Sequence, residues 1–283
     1  MQHNNMNIMK YPDIFLTNTR SLFNKFEEFY ITVNALQPDI VNICETWLHD
    51  DATINDLDLF SIPYYTSIFN NRCKKHGGGI AIWIKNVWTY FRIQNEAMDI
   101  NSLSYQFEYL SIGLYDAKMV FLLLYIPPAS VSMYKKLIIK QILSFCEFLI
   151  SKLLNYNLCL LGDLNNLCFD EIAQCFNLCK LVNIPTRSNR ILDQVYLHKS
   201  IVPKYFPAKV NAPITNSDHC IVWIKACHLF NHNGIKAKKT TKLIYNFRDS
   251  NIATFHDAIS KVDFSFPDNC DIDNMVSHFY NLF

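Results

Sequence analysis

Short apolar runs that give way abruptly to a polar residue recur along this chain, and they restrict its fold more than any other feature. "DIFLTN" stops at Asn18, "DIVNICE" at Glu45, "KMVFLLLY" at Tyr125 and "NLCLLGD" at Asp163. Each run is short and apolar at consecutive positions, the pattern of a strand covered on both faces. "GGGIAIWIKN", the alternation over Phe107–Tyr115, "ILDQVYL" and "DHCIVWI" add further strands. Helical spacing appears in "KFEEFYITVNALQ", closed by Pro38, and again from Met133 to about Leu154. In the second stretch Lys136, Lys140, Glu147 and Lys152 interrupt the apolar residues, which marks a core helix and not a membrane span. Many covered strands with few helices predict an α/β fold, a four-layer α/β sandwich of two packed mixed β-sheets flanked by helices.

The chain has 283 residues, half of them hydrophobic, enough for one large domain with a sizeable core. That domain is expected over 13–226, after a polar N-terminal tail at 1–12. Residues 227–283 carry the polar, basic "NHNGIKAKKTTK" near their start and leave too little chain for a second core. A net charge of +1 neither requires nor excludes a nucleic-acid partner. The ten cysteines include no C-x-x-C pair, and the tightest group, Cys168, Cys175 and Cys179, fits no zinc-finger spacing. Buried, reduced thiols in an intracellular protein are therefore expected. "MQHNNMNIMK" has no apolar segment of the secretory kind, and no membrane partner is expected.

The polar residues at which strand after strand is expected to end are Asn18, Glu45, Tyr125, Asp163 with Asn165, Asp193, and Asp218 with His219. Each has an ordinary explanation alone: Asn suits turns, an acid after glycine suits a turn, and a tyrosine packs with its hydroxyl in water. Together, on one edge of a sandwich, they predict an assembled site. Asn, Glu and Asp oxygens suit Mg²⁺, with Mn²⁺ as a substitute. A histidine held by a carboxylate is a tunable proton donor or acceptor. The combination points to metal-assisted hydrolysis of a phosphoester. Ser217, Asp218 and His219 spell a serine-hydrolase triad in consecutive letters, but a triad converges from separate parts of a fold. His76–Gly79 lacks an accompanying G-x-S-x-G elbow, so the triple glycine reads as a turn with unusual backbone angles. No P-loop motif is present.

"LTNTRSL", "PDIVNICETWL", "RCKKHGGGIAIWIK", "YIPP", "LLGDLNN", "ILDQVYL" and "NSDHCIVW" occur in the order seen in the endonuclease/exonuclease/phosphatase superfamily. Over 13–226 the chain most resembles the apurinic-endonuclease-like endonuclease domain of non-LTR (LINE-type, jockey-like) retrotransposon polyproteins. The resemblance implies a DNase I-like sandwich and a Mg²⁺-dependent endonuclease that nicks double-stranded DNA. The 3′-hydroxyl left behind would prime reverse transcription. It also implies roles. Glu45, with Asn18, holds the metal, and Asp218 is a metal-proximal acid. Tyr125 contacts the scissile phosphate. Asp163 and Asn165 orient the attacking water, and Asp193 orients the catalytic His219, with Ser217 in support. Arg20, Arg72, Lys74, Lys75, Thr186, Arg187 and Arg190 are the expected DNA contacts.

Arg20 stands where abasic-site enzymes place an acid near the metal, which argues against a second metal-binding position, and "YIPP" lacks their asparagine, which argues against abasic-site repair. "YNFRDSNIATFHDAISKVDF" is similar to the segment that precedes a reverse transcriptase in such polyproteins. A reverse transcriptase partner in a longer chain, with action in the nucleus, is therefore expected. Read without the resemblance, the residues leave open a same-fold phosphatase or nuclease for another phosphoester, or a decayed copy. Target preference and oligomeric state are not written in one sequence.

Overall fold

A computed structural model describes residues 11–48, 57–72, 77–94 and 107–227, all within one compact unit. Lys74, Lys75 and residues 228–283 lie outside the described residues. Among the described residues, twelve strands form two six-stranded sheets. The first holds β1 (Ile14–Asn18), β2 (Ile40–Cys44), β3 (Tyr65–Asn70), β4 (Ile80–Lys85), β11 (Lys209–Asn211) and β12 (Ile221–Ile224) in the order β11-β12-β1-β2-β4-β3. The second holds β5 (Tyr90–Ile93), β6 (Glu108–Leu114), β7 (Met119–Tyr125), β8 (Asn157–Asp163), β9 (Leu178–Lys180) and β10 (Asp193–His198) in the order β5-β6-β7-β8-β10-β9. Both sheets are mixed: β1–β2 and β7–β8 are parallel, and the other pairs are antiparallel.

Alternation along the strands builds three cores. Leu16, Ile82, Phe121, Leu161 and Val195 pack between the sheets. Phe15, Val41 and Trp83 face outward under α1 (Phe26–Leu36), which contributes Phe29 and Val33. Leu122, Leu124 and Leu160 face outward under α2 (Pro128–Lys152), which contributes Ile138, Ile142, Phe145 and Leu149, and near the short α3 (Asp170–Cys175). The predicted four-layer sandwich is the observed one. Each fully buried Leu, Ile or Phe contributes roughly 1.5–3 kcal/mol by leaving water, so these double-sided strands dominate the stability.

The helix ends follow local rules. α1 stops where Gln37 takes the left-handed conformation and its N–H returns to Val33 O at 2.7 Å, just before Pro38. α2 begins five residues before its predicted start, with Pro128 in its first turn. Tyr134 breaks the helical angles, so regular helical spacing is readable only beyond it. Tyr11 and Pro12, expected in the tail, belong to the folded body; Tyr11 packs edge-on against Tyr205 at 6.0 Å. The described cysteines are free thiols, and Cys168 and Cys175 are exposed, contrary to the buried expectation. No helix among the described residues is long and apolar enough to cross a membrane.

Candidate active site

The inter-sheet core ends on one edge in polar residues, and strand register puts them there. Glu108, Tyr125, Asp163 and Asp193 are successive cross-strand partners on β6, β7, β8 and β10, one row across the second sheet. Asn18 is the next inward position after Leu16 on β1, and Glu45 follows the end of β2. Asp193 starts its strand, and Asp218 and His219 precede theirs, whereas the sequence suggested strand ends throughout. Antiparallel pairing of β10 with β8 and of β12 with β1 brings these starts to the same edge as the other strands' ends.

Hydrogen bonds then join the row across both sheets. Asn18 Nδ2 donates to Glu45 Oε1 at 3.0 Å and to Asp163 Oδ2 at 2.9 Å. The Tyr125 hydroxyl donates to the same Glu45 Oε1 at 3.0 Å, and Trp47 Nε1 donates to Oε2 at 2.9 Å. His219 Nδ1 pairs with Asp193 Oδ2 at 2.7 Å, and its Nε2 lies 4.0 Å from Asp163 Oδ2. Asp193, Asp163 and His219 are at most 1% exposed. The Asn165 N–H donates to Asp163 Oδ1 at 3.1 Å, and its amide donates to Ile126 O at 2.7 Å. Ser217 ties the His219 loop to β1: its hydroxyl donates to Asn18 O at 2.7 Å and accepts from His219 N at 3.2 Å. Glu45 and Asn165 both hold left-handed backbone conformations, at φ 56° and 49°, a strain that persists only where surroundings over-determine it.

Burial first, and the Asp193 carboxylate second, push the Asp163 carboxyl up to about 7, against the pull of His219 and the hydrogen bonds from Asn18 and Asn165. Burial pulls His219 down, but the bond and charge of Asp193, with Asp163, outweigh it and leave the imidazole above its ordinary value. Burial and the Glu45 carboxylate push the Tyr125 hydroxyl far up, so it keeps its proton and stays a donor. Asp163, Asp193 and His219 offer donor atoms all within 4.8 Å of one another, a possible cation site.

Several residues do work that the sequence did not reveal. Glu108 is buried, accepts from Gly79 N at 2.6 Å and pairs with Arg72. Arg72 in turn covers the Tyr125 ring at 5.5 Å. An expected DNA contact thus braces Tyr125. Gly77, Gly78 and Gly79 all have φ near +77°, the unusual angles expected, and a Cβ on Gly78 would strike Arg72 and Glu108. Thr186 is corrected from the substrate surface to the interior: it is fully buried and its hydroxyl accepts from Leu192 N at 3.1 Å and Asp193 N at 3.0 Å. No pattern in the sequence marks Glu108, which reads as one more polar strand residue. Arg187 and Arg190 close a tight hairpin beside a cavity of about 360 Å³ that Asn165 also lines. Asp218, read as metal-proximal, pairs with Arg20 and Arg187.

No family model matches the sequence, and no curated protein matches it. Solved structures do. AP endonuclease LMAP from Leishmania major is similar at a TM-score of 0.57 and 15% identity, over 75% of this chain and 87% of that one. The 3′ phosphatase NExo from Neisseria, solved with a product DNA hairpin, is similar at 0.57 and 16%, over 76% and 99%. The endonuclease domain of TRAS1, a telomere-specific non-LTR retrotransposon, is similar at 0.54 and 12%, over 76% and 98%. Two mixed six-stranded sheets with flanking helices, together with the likeness to these structures, give the chain a DNase I-like fold.

Proposed function

We propose that this chain is a divalent-cation-dependent phosphodiester hydrolase that nicks duplex DNA, serving a non-LTR retrotransposon. One observation carries the reading. A hydrogen-bonded path runs from Tyr125 through Glu45 and Asn18 to Asp163, and a 4.0 Å gap separates Asp163 from the His219–Asp193 pair. The likeness to a retrotransposon endonuclease domain and to a phosphatase solved with DNA supports it.

The donor set fits a hard cation. Glu45, Asp163 and Asp193 bring three carboxylates together with one histidine, and burial first, with the Asp193 charge second, raises the Asp163 carboxyl. Asp193 and His219 are committed to each other at 2.7 Å. Glu45, half-buried, with the Asn18 amide beside it, would therefore hold Mg²⁺ or Mn²⁺. Bound there, the cation supplies charge neutralisation for the phosphate and the departing oxygen. The chain's own residues do the rest. Asp163 accepts the proton of the attacking water, in the position its Asn165 and Asn18 bonds fix. Protonated His219, held by Asp193, donates from Nε2 to a phosphate oxygen. Tyr125 keeps its proton and offers a second donor. The water oxygen bonds to phosphorus as the P–O3′ bond breaks, and the departing O3′ takes a proton from solvent, leaving a 3′-hydroxyl and a 5′-phosphate.

Supercoiled plasmid with the purified chain and Mg²⁺ tests this. Relaxed circles should appear, vanish with EDTA, and carry 3′ ends that a DNA polymerase extends. Intact plasmid in Mg²⁺ and Mn²⁺ sinks the reading. In such a retrotransposon, these ends would pass to a reverse transcriptase in the nucleus.

A further inference from the structure

Three charged side chains from distant parts of the chain meet at the rim of the site. Asp218 Oδ2 accepts from Arg20 Nη1 at 3.1 Å and more closely from Arg187 Nη2. A guanidinium carries five N–H donors, and each arginine spends one on this single oxygen. The arginine side chains are 46% and 36% exposed, so donors remain for another oxyanion. Arg187 also lines the cavity shared with Asn165.

The Arg20 loop is built, not loose. Its backbone is left-handed at φ 43°, and its N–H donates to Asn18 Oδ1 at 3.0 Å. Lys25, largely buried, donates from Nζ to Thr19 O and Arg20 O at 2.6 Å each. Ser21 N reaches Glu45 O at 2.9 Å. The backbone that carries Arg20 is thus tied to the residues expected to meet the cation and the phosphate. Asp218 Oδ1 is buried with no hydrogen-bond partner, a vacancy that invites a metal ligand's role. Charge argues the other way: two guanidinium groups more than offset one carboxylate, and a third cation on that carboxylate would meet their repulsion. The cluster as a whole carries +1 and suits an anion.

We propose that Asp218 is a positioning residue, holding Arg20 and Arg187 as a two-guanidinium clamp for a DNA phosphate beside the cleaved one, and that it does not ligate the cation. The inference rests on the hydrolase reading for its substrate. Two measurements test it. Mn²⁺ titration followed by electron paramagnetic resonance should give Asp218→Asn an affinity within about 3-fold of wild type, while Glu45→Gln weakens it by 10-fold or more. Duplex binding, read by fluorescence anisotropy in EDTA across a salt series, should lose about 0.9 from its log–log slope for each of Arg20→Gln and Arg187→Gln. Asp218→Asn should keep the slope and slow nicking about 10-fold, and Asp218→Glu should restore it. Loss of Mn²⁺ affinity in Asp218→Asn equal to that in Glu45→Gln overturns the proposal, as does an unchanged salt slope in both arginine variants. A wild-type chain that neither binds Mn²⁺ nor nicks plasmid is a different result, and removes the hydrolase reading together with the clamp.

Discussion

Asp163 and Asp218 stand on two sides of one site in opposite surroundings. Asp163 is buried beside a second carboxylate, and its carboxyl is pushed up to about 7. Asp218 is partly exposed between two arginines. Partial burial raises it, but Arg187, His219 and Arg20 outweigh that and hold it below its ordinary value. Neighbours and burial therefore decide whether a carboxylate handles a proton or fixes a charge. In the proposed hydrolase the interior side handles the proton, and the rim holds a lasting electrostatic contact.

The sharpest way to break this contrast is by rate. His219→Ala and Asp163→Ala should each slow plasmid nicking by about 10²–10⁴, the worth of a positioned acid or base. Either variant nicking at the wild-type rate would erase the distinction between interior and rim. A second test uses stability without metal. A carboxyl whose folded pKa is raised contributes stability that is present below its unfolded value near 3.8 and lost as pH rises through about 7. The metal-free protein should therefore lose on the order of 1–3 kcal/mol in urea melts between pH 4.5 and 7.5. Asp163→Asn should remove most of that loss.

Thr186→Val probes the support of the interior side. It strands two buried N–H groups, at a cost of about 1–3 kcal/mol, and loosens Asp193 beneath His219. Circular dichroism melts and nicking rates should fall together. The smallest effect belongs to the rim. The lowered Asp218 carboxyl contributes stability above its unfolded value near 3.8 that is lost as pH falls. Because the group is partly exposed, Asp218→Asn should change acid stability by less than about 1 kcal/mol.

The central strands were legible because both their faces are buried, which leaves an unbroken apolar run. The strands that the sequence did not reveal are β3, β5, β9 and β11, and these are the four sheet edges. An edge has one neighbour and an open side, so Tyr65–Asn70 and Lys209–Asn211 mix polar with apolar residues and show no clean pattern. The types of residue at the site were legible too, because a polar residue closing an apolar run stands out. Partnerships were not. That Ser217 serves Asn18, that Thr186 holds Asp193, and that Glu108 holds Arg72 depend on long-range register, which local letters do not encode.

The order of the strands has a consequence for synthesis. The second sheet comes from one unbroken stretch, Tyr90 to His198, while the first takes strands from both ends of the unit. A ribosome moving from the N-terminus therefore delivers Asn18, Glu45, Tyr125, Asp163 and Asp193 before β11 and β12 exist to complete the first sheet. His219 arrives with that closing segment. If the chain cuts DNA as proposed, a nascent or prematurely released copy lacks the proton donor. The host genome is then exposed to cutting only by chains whose translation has passed the final strand.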